Sequence, residues 1–94
     1  MSEIDIKTEE EGDRHWRYTV ELFHEGRHQT HQVTLSWSDY DLWTHGRVPP
    51  ERVIEAAFEF LLEREPASAI MSEFDCSVLR RYFPEVDDRL PTLL

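Results

Sequence analysis

From Trp16 to Phe23 the apolar residues fall on alternate positions, with Trp16, Tyr18, Val20 and Leu22 separated by Arg17, Thr19 and Glu21. That is the period of a strand with one buried face. A second alternation, Val33, Leu35 and Trp37, follows after Gly26, and the pair predicts a β-hairpin. Opposed residues of an antiparallel pair share a face, so the loop must keep the two apolar sets together. A two-residue loop at Glu25-Gly26 does this. It sets Trp16 opposite Leu35, Tyr18 opposite Val33 and Val20 opposite His31, with Arg17, Thr19 and Glu21 facing Thr34, Gln32 and Thr30 on the other side. Glu is poorly suited to the positive φ of a type I′ turn, so a four-residue loop of the same parity stays open. Ile4 and Ile6 suggest a short first strand, joined to the hairpin through a solvated acidic loop, Glu9-Glu10-Glu11-Gly12-Asp13.

Three helices are expected. Ser38, followed by Asp39-Tyr40-Asp41, matches a capping box, with Trp37 and Leu42 as its hydrophobic staple and Gly46 as its stop. Pro50 suits a first helical position and opens a longer helix to about Arg64, which Pro66 blocks. Asp75 caps a third, stapled by Phe74 and Leu79, with Pro84 beyond its end. Ala67 to Glu73 reads as a turn or a brief helix. On the long helix Val53, Ile54, Ala57, Phe58, Phe60, Leu61 and Leu62 occupy more than half of the circumference, so it must be buried on several sides. The expected fold is α+β: a hairpin or three-stranded antiparallel sheet packed against a long central helix, with a short helix before it and one after, and Val78, Leu79, Tyr82 and Phe83 covering a flank. One domain spans 1–94, with 1–13 as a partly flexible acidic segment or edge strand and 86–94 as a flexible tail.

Composition narrows the partners. Twenty acidic against ten basic residues give a formal charge of −10, which repels phosphate backbones and anionic lipids and argues against direct nucleic-acid binding. Cys76 is the single cysteine, Met1-Ser2-Glu3 lacks the features of a signal peptide, and no apolar run has the length of a membrane span. A cytoplasmic location is expected.

The familiar chemistries find little purchase. His28 falls on the outer face opposite Phe23 and His31 on the inner face, so His24, His28 and His31 do not converge on a metal; His15 and His45 are isolated. Ser77 reads as a first-turn helix residue and Cys76 as an ordinary thiol, because Glu73 and Asp75 oppose a thiolate there. Gly12, Gly26 and Gly46 stand alone, without a phosphate-cradling loop.

Two features remain as candidate protein-binding surfaces. Glu51, Glu55, Glu59 and Glu63 recur every four residues and form an acidic stripe, at a repulsive cost of roughly 0.2–0.5 kcal/mol per neighbouring pair that Arg52 partly relieves. Near the chain end, Phe74, Arg81, Tyr82 and Phe83 offer an aromatic and basic hot spot. Glu59-Phe60-Leu61-Leu62-Glu63-Arg64-Glu65-Pro66, with the segment from Ser72 to Glu85, resembles a family of small uncharacterised bacterial proteins that end in F-D-x-S-x-x-x-x-Y-F-P-E. Phe74, Asp75, Ser77, Tyr82, Phe83, Pro84 and Glu85 match that pattern, which covers about the C-terminal third of the chain. The resemblance implies a bacterial origin and carries no activity, cofactor or catalytic residue. The first expectation is therefore a non-catalytic acidic interaction module without cofactors or metal, a monomer or weak homodimer that binds a basic protein. The alternatives are an acidic regulator imitating nucleic-acid charge toward a nucleic-acid-binding protein, and an undetected small hydrolase or metal enzyme.

Overall fold

Period-two patterning builds the hairpin in the register expected. The computed structural model describes residues 2–94. Strands β2 (His15–His24) and β3 (Arg27–Ser36) pair antiparallel with Tyr18 opposite Val33, Val20 opposite His31 and Trp16 opposite Leu35. Their connection is the two-residue loop, with Glu25 at φ 52° and Gly26 at φ 78°, both in the left-handed region that a type I′ turn requires.

The sheet is larger than the hairpin or three strands expected. Its order is β1-β2-β3-β4, with β1 (Ser2–Gly12) antiparallel to β2 and β4 (Glu73–Asp75) parallel to β3. The acidic run is not a loop: Glu9, Glu10 and Glu11 lie within β1 beyond a bulge near Lys7. A charged, bulged outer strand tolerates these residues because it sits at the sheet edge, where such features also discourage pairing with other chains. The stretch from Ala67 to Glu73, read as a turn or brief helix, contains a 3-10 turn at Ala67–Ala69, and β4 begins at its last residue.

The helices start and stop differently from the sequence expectation. Helix α1 (Trp37–Thr44) is capped by Ser36, whose hydroxyl accepts from the Asp39 amide at 3.1 Å, rather than by Ser38. Both serines precede an aspartate by three positions; the hairpin decides between them, because Ser36 is the last paired residue of β3 and the Trp37 amide donates to the Arg14 carbonyl. Trp37 and Leu42, expected to staple the helix, are 46% and 52% exposed. Helix α2 (Pro50–Leu62) begins at its proline as expected but spans 13 residues, ending before Arg64; it is not the long rod inferred from its wheel. Helix α3 is only Val78–Tyr82, since Phe74 and Asp75 belong to β4. Asp75 still organises its start, accepting from the Ser77 amide at 3.0 Å and from the Thr34 hydroxyl at 2.5 Å.

Residues 86–94, expected as a flexible tail, form α4 (Val86–Arg89) and a 3-10 turn (Leu90–Leu93), with Val86 and Leu90 wholly buried. Helix α2 thus lies between the inner sheet face and this C-terminal segment, which explains its broad apolar circumference. One core joins Tyr18, Val20, Leu22, Val33 and Leu35 of the sheet to Val53, Ile54, Ala57, Phe58, Phe60 and Leu61 of α2. The opposite sheet face, with Arg17, Thr19, Glu21, Phe23, His28, Thr30, Gln32 and Thr34, stays exposed or half-buried. No helix among the described residues is long and apolar enough to cross a membrane.

Candidate functional site

The acidic stripe is in large part an internal seam. Arg52, within the stripe, reaches Glu59 at 3.1 Å and Glu55 at 3.5 Å, and also donates to the Leu93 carbonyl at 2.5 Å. Glu63 accepts from Arg89 at 2.5 Å and from Arg64 at 3.0 Å, and those cations hold its carboxyl below the usual range. Arg64 also bridges to Glu85 at 2.9 Å. Three of the four glutamates therefore help hold the C-terminal segment against α2, and Glu51 stands exposed at the helix start. A shallow cleft between α2 and the ends of β1 and β2 is lined by Glu3, Ile4, His24, Glu55, Glu59, Leu62 and Glu63, so the acidic character does face solvent there.

The C-terminal motif divides between core and surface. Phe74 is buried, its ring 6.0 Å from that of Phe58, and Phe83 is half-buried edge-on to Phe60 at 5.8 Å. Tyr82, expected to pack on the flank of α2, is instead 62% exposed. Arg81 is exposed and does not line the groove described next. Its neighbour Arg80 is structural: it grips Asp87 at 2.8 and 2.9 Å and Asp39 at 3.1 Å, while Trp43 donates to Asp87 at 2.8 Å, tying α1, α3 and α4 together.

Phe74, Tyr82 and Phe83 converge, with Leu61, Ile70, Met71 and Leu79, on an apolar groove of about 270 Å³. Met71 is 41% exposed beside it. Glu65 is part of its wall, and burial there pushes the carboxyl above its ordinary value. Among the described residues no side-chain hydrogen bond or ion pair reaches the Glu65 carboxylate. Sequence reasoning missed Glu65, Ile70 and Met71. A signal was present: at three and four positions from Glu65 stand Leu61, Leu62, Ser68 and Ala69, none of them a cation, whereas Glu55 has Arg52 three residues away.

Under the groove, His31 is buried, its ring 5.2 Å from Phe58. Its Nδ1 donates to the Met71 carbonyl at 2.7 Å and its Nε2 lies 3.0 Å from the Gln29 side chain, and burial lowers its pKa. The Cys76 thiol is fully buried and pushed up by that burial, so it is shielded from the chemistry of a nucleophile. No group of three or more His, Cys, Asp or Glu side chains among the described residues is arranged to hold a metal ion. Compared with family models, curated proteins and solved structures, the chain matches none.

Proposed function

We propose that the chain is a non-catalytic acidic module that binds another protein through the groove behind its C-terminal motif. The observation that carries this reading is the pairing of a formed apolar groove with exposed Met71 and Tyr82, large side chains that folding leaves in water beside it. Exposed apolar residues clustered at a concavity mark interaction sites more often than scattered ones do. The excess of negative charge favours a basic partner by steering its approach. On this reading the protein is a cytoplasmic monomer or weak homodimer, of the bacterial family that its C-terminal motif resembles. Affinity capture with the tagged chain and with a Met71→Ser, Tyr82→Ser double variant, at low and high salt, tests it. A protein recovered at low salt, reduced by salt and lost with the variant is expected; identical recoveries from both chains count against the groove.

A second reading draws on β1. Glu9, Glu10 and Glu11 are all exposed along an extended edge strand, so that carboxylates project from both of its faces. This favours an acidic regulator that occupies a nucleic-acid-binding protein. Competition with DNA or RNA for the captured partner decides it, and failure to displace either removes it.

A further inference from the structure

The groove is built for something smaller than a cofactor and more specific than an oily patch. Its volume of about 270 Å³ falls below the roughly 300–1,000 Å³ of pockets that hold drug-sized ligands. Glu65 is the one charged residue among those that line it, the others being apolar or aromatic. Nearby carboxylates are matched by cations: Glu59 has Arg52, Glu63 has Arg64 and Arg89, and Glu85 has Arg64. The cation adjacent in sequence is unavailable to Glu65, because the Arg64 guanidinium lies over the Phe60 ring, 3.7 Å from its centroid, while pairing with Glu63 and Glu85. A partly desolvated carboxylate without a partner costs free energy that an incoming cation recovers. The side chains that combine a cation with a length of apolar stem are lysine and arginine, which bury the stem and keep the head at a polar edge.

We propose that the groove seats one lysine or arginine side chain of a partner protein, its methylene stem against Met71, Tyr82 and Phe83 and its cationic head on the Glu65 carboxylate. This inference rests on the protein-binding reading and names the partner chemistry that the groove selects. Aromatic faces around the stem add attraction for the cation. The other carboxylates of this acidic chain steer the basic residue toward the site, and Glu65 is the contact that distinguishes a cation from a leucine or phenylalanine.

The test is a selection of random peptides displayed on phage against the immobilised full-length chain. Glu65→Gln, the Met71→Ser, Tyr82→Ser double variant and Arg81→Gln serve as comparisons, with circular dichroism confirming that each is folded. Enriched peptides should share a lysine or arginine beside an apolar residue. As synthetic peptides they should bind roughly tenfold or more weakly to Glu65→Gln, and lose the same amount when the shared basic residue becomes leucine. Binding should fall further in the double variant and change little in Arg81→Gln. Enriched peptides that depend on Met71 and Tyr82 but lack a basic residue and ignore Glu65→Gln would overturn the cation seat while leaving the binding module standing. No peptide dependent on Met71 or Tyr82 would overturn both.

Discussion

His31 shows how a single side chain records its surroundings. It replaces an apolar residue in the inner face of β3, where Val33 and Leu35 are also buried, and it is tolerated because both ring nitrogens meet polar atoms of the backbone and Gln29. Desolvation depresses its pKa below the ordinary 6.5, so the folded protein holds the neutral ring where the unfolded chain takes up a proton. The stability it contributes is therefore full above about pH 6.5 and is lost progressively as pH falls from there through the lower folded value. Urea denaturation of wild type and His31→Gln between pH 7.5 and 5.5, supported by an NMR titration of the ring, checks this: wild type should lose stability more steeply than the variant. A ring that titrates at or above 6.5 in the folded protein would refute it. The burial of His31 was legible from the hairpin register, whereas its bond to Met71, forty residues along the chain, was not.

At the scale of elements, local pattern and distant packing divide the outcome. The hairpin was readable because its code is local: alternation sets the face, and loop parity sets the register. Strand β4 has only three residues, and its identity comes from Gln32, Val33 and Thr34 rather than from any periodicity of its own. The C-terminal segment misled for the same reason, since Asp87-Asp88-Arg89 looks solvated until Trp43, Arg80 and Glu63 are placed around it. The candidate site was half legible: the aromatic motif was visible, but the groove needed the Ile70-Met71 turn to be brought beside it. Two predictions belong here. Glu25 sits at φ 52° in a turn that prefers asparagine before glycine, so Glu25→Asn should stabilise the protein by about 0.5–1 kcal/mol, seen as a higher urea midpoint at unchanged slope; no shift would mean that the turn is unstrained. Leu90 is wholly buried against the core, so Leu90→Ala should cost about 2–5 kcal/mol and truncation after Glu85 still more, whereas a solvated tail would leave the melting temperature unchanged.

For the whole molecule, charge sets the balance. Among the described residues Lys7, Arg17, Arg52, Arg64, Arg80 and Arg89 form ion pairs, yet the chain carries twenty carboxylates against only ten basic residues. The attractive contacts are short, many near 3 Å, while the repulsion is summed over a body whose longest dimension is 35 Å. Salt treats the two differently. The screening length shrinks from about 30 Å at 0.01 M to about 8 Å at 0.15 M, so added salt removes long-range repulsion across the molecule but weakens contact pairs much less. Unfolding spreads the same charge over a larger volume, so repulsion is relieved more in the native state than in the unfolded chain. Raising sodium chloride over that range should therefore stabilise the fold, and about 1 kcal/mol would lift the melting temperature by roughly 4–8 °C for a domain of this size. Binding should respond in the opposite sense, because the same screening weakens the attraction between this acidic surface and a basic partner. Calorimetry and peptide titration in one salt series separate these effects. A melting temperature that falls with salt would show that the ion pairs along α2 and the C-terminal segment outweigh the net charge.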